Sequence, residues 1–253
     1  MTTPDDAPRW RQVTDDLRRR ILGGQLAPGA RLPGRRQLIE QTGMSDRTVL
    51  AALHALQREG LVYVAPSSGW YVRTRRGIVR STRNRLSRAE RAAGRGTFST
   101  DCYAAGLTPR VDPPNVITGP APEHVAAALG LDSGAPVVSR ERVMHGDDEV
   151  LQLATSYLPA DLLDTAPAIA EQDTGQGGIY ARLEDAGHTL TEYTERVAIG
   201  RADEHEARQM DLTPGDPVYR VIRTAWADDR PVEVNHITIT GDRYELFYEL
   251  PAT

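Results

Sequence analysis

Lysine is absent from this chain: all 30 basic residues are arginine. Cysteine is almost absent as well, since Cys102 stands alone. A single thiol excludes an internal disulfide and fits a reducing compartment, so a cytoplasmic protein is expected. No apolar run approaches the roughly 20 residues of a membrane span, so no membrane partner is expected. The opening stretch MTTPDDAPRW lacks a basic segment followed by an apolar one, so no secretory signal is expected either. His54, His124, His145, His188, His205 and His236 fall at no metal-ligand spacing, and His205-Glu206 is not followed by the remainder of a zincin helix. Gly175-x-Gly177-Gly178 lacks the Lys-Ser/Thr pair of a nucleotide loop. No serine or cysteine sits in a recognisable nucleophile elbow. These absences argue for a protein with no cofactor, no metal and no catalytic residue.

What is present is an asymmetry of charge. Residues 1–96 hold 19 arginines against 8 acidic residues, a net of +11, whereas the remainder is −16 and the whole chain −5. A basic first third on an acidic body points to a polyanionic partner for the first part only. The length of 253 residues allows one large or two modest domains.

The basic third has a readable pattern. Trp10, Val13, Leu17 and Ile21 recur at spacings of three and four, one apolar face of a helix that Gly23-Gly24 ends. A second short helix carries Leu38 and Ile39 and stops near Gly43. Ser45 can cap a third helix, whose Val49, Leu53 and Leu56 face a core and which ends before Gly60. Leu61–Val64 and Trp70–Val72, separated by Pro66-Ser67-Ser68-Gly69, predict a hairpin. Three helices and a hairpin make a winged helix-turn-helix. Leu26-x-Pro28-Gly29-x-x-Leu32-Pro33, Arg36-x-Leu38, Ser45-x-x-Thr48-Val49, Ala52-Leu53, Leu56-x-x-Glu59-Gly60-Leu61 and Gly69-x-Tyr71-Val72 strongly resemble the signature of the GntR family of bacterial transcriptional regulators.

That resemblance implies double-stranded DNA as partner, a palindromic operator and a homodimer. The third helix would enter the major groove with its first residues nearest the base edges. Arg47 can pair bidentately with guanine, and Thr48 suits a phosphate or a thymine methyl. Arg36 resembles the family's DNA-contacting arginine, and Gly69 lets the wing approach the minor groove. Arg35, Ser45 and Ser68 complete the expected DNA-binding set. There are departures: Gly34-Arg35 replaces the usual Ser-Glu, Asp46 and Leu50 occupy positions where arginines are common, and Ser67-Ser68 replaces Gly-Arg or Gly-Lys. An operator unlike the family's usual one is expected, with Arg35 and Arg47 replacing the lost charges.

Three segments are expected: a DNA-binding domain at 1–73, an Arg-rich linker at 74–96, and an effector-binding and dimerisation domain at 97–253. The last contains an internal repeat. Glu123-His124, Leu131, Gly134-x-Pro136-Val137, Arg142 and Asp147-Asp148 recur 81 residues later as Glu204-His205, Leu212, Gly215-x-Pro217-Val218, Arg223 and Asp228-Asp229. Each copy reads as a helix followed by a hairpin, so an α+β layout with an antiparallel sheet and helices on one face is expected. Asp173–Gly187 reads as a Gly-rich loop opening a helix with Ile179, Tyr180 and Leu183.

Arg140-x-Arg142, Ser156-Tyr157-Leu158-Pro159, Ile179-Tyr180-x-x-Leu183-Glu184, Pro231-Val232-Glu233 and Gly241-Asp242-Arg243-Tyr244 resemble the UTRA domain of HutC-type GntR regulators. The resemblance implies a chorismate-lyase-like fold with a small-molecule cleft. Arg140 and Arg142 lie two apart on one strand and point to one side, which suits either a ligand carboxylate or phosphate or a structural pairing with Glu or Asp in the sheet. The backbone N–H groups of Gly177 and Gly178 offer a second anion site, and Tyr180 and Glu233 can take hydroxyl or amine groups. Phe98, Ser99 and Asp242 complete the expected effector-binding set. Ala154, Gly178 and Ile239 stand where sugar-phosphate binders of the family carry Glu, Ser and Tyr, so a less polar or differently shaped ligand is expected. Three readings stay open: an effector-responsive regulator, a regulator without ligand response, and a chorismate-lyase-like enzyme carrying a DNA-binding module.

Overall fold

The two sequence patterns fold as two compact units, at 1–76 and 77–253. The computed structural model describes residues 9–65, 69–73, 77–81, 86–89 and 96–249.

In the first unit, α1 (Arg9–Leu22) buries Val13 and Leu17, α2 (Arg35–Thr42) buries Leu38, and α3 (Asp46–Arg58) buries Val49, Ala52, Leu53 and Leu56. These spacings of three and four set each apolar stripe on one helix face, and the stripes share one core. Gly43 ends α2 at φ 66°, a left-handed conformation open to glycine without steric cost. The Ser45 hydroxyl accepts the Thr48 N–H at 3.2 Å and fixes the start of α3. β1 (Val62–Ala65) and β2 (Gly69–Val72) form the wing, with Val62 opposite Val72. Leu32 N–H donates to Trp70 C=O at 2.8 Å beside the Arg31–Tyr71 bridge, tying the α1–α2 connection to the wing. This is the winged helix-turn-helix predicted from the sequence. The wing tip, 66–68, lies outside the described residues, and Ser68 with it.

The second unit begins earlier than expected. β3 (Ile78–Ser81) falls within the segment read as linker, yet it pairs in parallel with β11 (Tyr244–Phe247). Ile78 and Arg80 are buried there and Val79 is 48% exposed. The arginine density reads as a linker; the period-two burial makes these four residues part of the domain. Arg88 and Ala89 are helical, and 90–95 lie outside the described residues.

The rest of the unit follows in chain order as α4 (Thr97–Ala104), β4 (Pro109–Val111), β5 (Asn115–Pro120), α5 (Glu123–Leu129), β6 (Pro136–Gly146) and β7 (Glu149–Pro159). Two 3₁₀ turns, Ala160–Asp164 and Pro167–Ala170, lead to α6 (Gly178–Asp185), β8 (Leu190–Arg201), α7 (Glu204–Gln209), β9 (Pro217–Ala227) and β10 (Arg230–Thr240). The sheet is antiparallel in the order β4-β6-β7-β10-β9-β8, with β5 also on β6. The repeat survives in three dimensions: β6, β7 and α5 each begin 81 residues before β9, β10 and α7. Even the hairpin turns agree, with Asp147 at φ 53° and Asp228 at φ 52°.

The expectation of helices on one face needs correction. α5 packs on Val234 and α7 on Val218, as the repeat suggested. Ala225, which pairs with Glu233 and therefore faces the other way from Val234, packs against Ile179 and Leu183 of α6. On that second face Ile78, Phe98 and Cys102 also share a core with Ala154, Val221 and Ile237. Both faces are covered because elements outside the repeat supply the second layer. No described helix is long and apolar enough to cross a membrane.

Candidate functional site

In the first unit Ser45, Arg47 and Thr48 lie at the start of α3 with Arg35 beside them, Arg36 follows on α2, and Gly69 opens β2 of the wing. Arg47 is exposed on its first turn. The Thr48 hydroxyl lies 2.8 Å from that of Ser45, so both are engaged in the cap. Arg35 approaches the Asp46 carboxylate at 3.6 Å, across the turn between α2 and α3. Arg36 has a 96% exposed side chain and a loose 3.7 Å contact with Glu40. Exposed pairs of this kind contribute little, so these guanidinium groups can exchange carboxylate for phosphate. Gly69 sits at φ 113°, and a Cβ there would lie 3.4 Å from the Arg31 guanidinium.

In the second unit a cavity of about 130 Å³ opens on the face of the sheet covered by α6. Two of its lining residues, Arg223 and Asn235, belong to a polar row crossing five strands. Arg140 pairs with Ser156, Ser156 with Asn235, Asn235 with Arg223, and Arg223 with Glu195. Directly paired residues of antiparallel strands share a face, so all five point into the second layer. Arg80 of β3 closes the row, donating from both terminal nitrogens to Glu195 at 2.7 and 2.6 Å. Arg223 Nε donates to the same carboxylate at 2.8 Å. Burial alone would raise the Glu195 pKa, but the Arg80 hydrogen bonds and the charges of Arg223 and Arg80 hold it at about 2.

The arginine pair of β6 does not act as a pair. Arg140 is 3% exposed and donates to the backbone carbonyls of Ile169, Glu171 and Gln172. It pins the loop after the second 3₁₀ turn and does not line the cavity. Arg142 does line it, with Nη2 on the Ser156 hydroxyl at 2.5 Å and a buried Nε that has no partner. Burial lowers the Arg142 pKa, and the Glu233 charge opposes that shift.

Tyr180 and Glu233 meet as expected: the phenol donates to Glu233 Oε2. Burial, with the Glu233 charge beside it, holds the Tyr180 pKa well above its ordinary 10, so it stays a neutral donor. Glu233 Oε1 and Asn235 Oδ1 are buried without a partner. Gly177 and Gly178 line the cavity at the start of α6. Phe98 is 3% exposed in the core, Ser99 is half-buried on α4, and Asp242 is exposed after β10; none of the three lines the cavity. Thr97 takes the place expected of Phe98 and Ser99. Sequence reasoning missed Gln152, Arg223 and Asn235, all of which line the cavity. The repeat held the signal, because Arg223 follows Arg142 by 81 residues and Glu233 follows Gln152 by the same interval.

Comparison with known proteins assigns a family model to each unit. Residues 10–72 match the gntR family of bacterial regulatory proteins, and residues 104–245 match the UTRA domain. The chain belongs to this family. The HTH-type transcriptional regulator Rv0792c of Mycobacterium tuberculosis is 30% identical over 248 residues, covering 97% of this chain and 87% of that protein. The HTH-type transcriptional repressor NagR of Bacillus subtilis is 25% identical and covers 95% and 94%. The crystal structure of PhnF from Mycobacterium smegmatis aligns with a TM-score of 0.59 at 25% identity, over 95% of this chain and all of that one. The protein is therefore a transcriptional regulator, not an enzyme, with a DNA-binding winged helix and an effector-binding UTRA domain.

Proposed function

We propose that the protein is a repressor that binds a palindromic operator as a homodimer, and that a small molecule in the cleft sets its operator affinity. The unpartnered Arg142 Nε, Glu233 Oε1 and Asn235 Oδ1 carry this reading. Buried polar atoms are almost always satisfied, and three orphans around one cavity suit a ligand that satisfies them. The relation to NagR supports repression. A two-fold homodimer would match a palindrome, since paired recognition helices read two half-sites one helical turn apart. The exposed Ile117 and Ile199, on β5 and β8, offer apolar surface for a second copy.

The test is retention of genomic fragments by the full chain, followed by titration of the selected operator with a cell extract of small metabolites. An inverted repeat should emerge, and the extract should change its affinity. Arg47→Ala should cost about 1–3 kcal/mol on that operator and relax selectivity at one base pair per half-site. Fragments without two-fold symmetry, or affinity unmoved by any extract, would count against the reading.

A further inference from the structure

The cleft holds two charged side chains that are not ion-paired among the described residues. Arg223 is compensated by Glu195, and Arg140 by three carbonyls. Arg142 has only a serine hydroxyl, and Glu233, 1% exposed, has only the Tyr180 phenol. Each side chain retains one buried atom without a partner. The repeat sharpens the contrast. The first copy places Arg142, Gln152 and Ala154 where the second places Arg223, Glu233 and Asn235. One copy thus offers an uncompensated cation, the other a carboxylate and an amide oxygen awaiting donors.

A bipolar cleft calls for a bipolar ligand. Arg142 and Glu233 offset each other electrostatically but share no direct contact among the described residues, so Arg142 Nε still lacks an acceptor and Glu233 Oε1 a donor. A simple monocarboxylate would answer Arg142 alone, and a phosphate dianion would have to sit beside the Glu233 carboxylate. Size narrows the choice further: about 130 Å³ is close to the roughly 150 Å³ cavity that holds one benzene. We propose that the cleft takes a small aminocarboxylate, its carboxylate on Arg142 and its ammonium between Glu233 and Asn235. The inference rests on the ligand-binding reading above and names the ligand's chemistry.

The test is calorimetric titration of the full chain with β-alanine, 4-aminobutyrate and the common L-amino acids. Three controls go with them: butyrate lacks the ammonium, butylamine lacks the carboxylate, and glucosamine 6-phosphate keeps an ammonium but carries a phosphate in place of the carboxylate. At least one aminocarboxylate should bind, with butyrate and butylamine weaker by about tenfold or more, as loss of one charge-assisted contact implies. Arg142→Met and Glu233→Gln should each weaken it by about tenfold, with melting temperatures reporting whether each variant folds. Asn235→Leu provides a second probe of the ammonium end should Glu233→Gln fail to fold. Butyrate binding as tightly as 4-aminobutyrate, or no binding by any aminocarboxylate, would overturn the proposal. Glucosamine 6-phosphate binding that Arg142→Met abolishes would overturn the ligand class while leaving the effector cleft standing. A chain that neither this panel nor the metabolite extract affects would take down both.

Discussion

Arg140 and Arg142 share a strand, a face and a side-chain type, yet their fates differ. Period two told which way they point; it could not tell how far each reaches or what waits there. Arg140 meets the carbonyls of residues 169–172, a segment whose path depends on two 3₁₀ turns that no periodicity announces. Arg142, one row further along, meets open space and a serine. Removing Arg140 would strand three carbonyls in a buried setting, each a desolvated acceptor without a donor. Arg140→Ala should therefore destabilise the fold by about 2–4 kcal/mol, whereas Arg142→Ala should cost about 1 kcal/mol or less and remove ligand binding. Urea unfolding of the two variants would check this, and equal destabilisation would show that both arginines are structural. The residues that sequence reasoning missed teach a related lesson. Gln152, Arg223 and Asn235 were legible only by carrying known site positions across the 81-residue repeat, which pattern reading within one copy never does.

Helices and hairpins were the legible elements, because their signals are local. Ser45, Gly43 and the apolar spacings of α1 to α3 lie within a few residues of the structure they specify. β3 was illegible because its reasons are distant. Its strand partner begins at Tyr244, and the carboxylate that receives Arg80 is 115 residues away. An arginine in an Arg-rich stretch looks solvated until Glu195 is placed opposite it. That ion pair gives the element a pH signature. The Glu195 pKa falls from 4.5 to about 2 on folding, so its contribution is complete above the unfolded value and is lost as pH falls through the folded one. Stability should decline between about pH 4.5 and 2, and Arg80→Met should make that decline shallower. The same variant should cost about 1.5–3 kcal/mol at neutral pH, the usual loss for hydrogen bonds to a charged group, since Arg223 still holds Glu195. Urea midpoints measured from pH 7 to 3 test both statements. A midpoint at pH 7 unchanged by Arg80→Met would mean that β3 is held by its strand pairing alone.

For the whole molecule, a cleft in one unit can govern DNA binding by the other only if the ligand favours one of two states. The covalent route between the units is residues 74–77, and it leads straight into β3. Arg80 of that strand holds Glu195, Glu195 holds Arg223, and Arg223 lines the cleft. If a bound ligand also drew on Arg223, it would weaken that residue's share of Glu195 and so alter the grip on the strand that follows the DNA-binding unit in the chain. Three Gly-Ser residues inserted after residue 76 would leave every one of these contacts in place while slackening the chain that carries the effect. Ligand affinity and effector-free operator affinity should both stay near wild type. The change in operator affinity on adding the effector, typically about 5–150-fold for couplings of this kind, should fall toward one. Titrating the operator with wild type and insertion variant, each with and without effector, gives the comparison. A variant that keeps its full response would show that the signal crosses between the units by another route than β3.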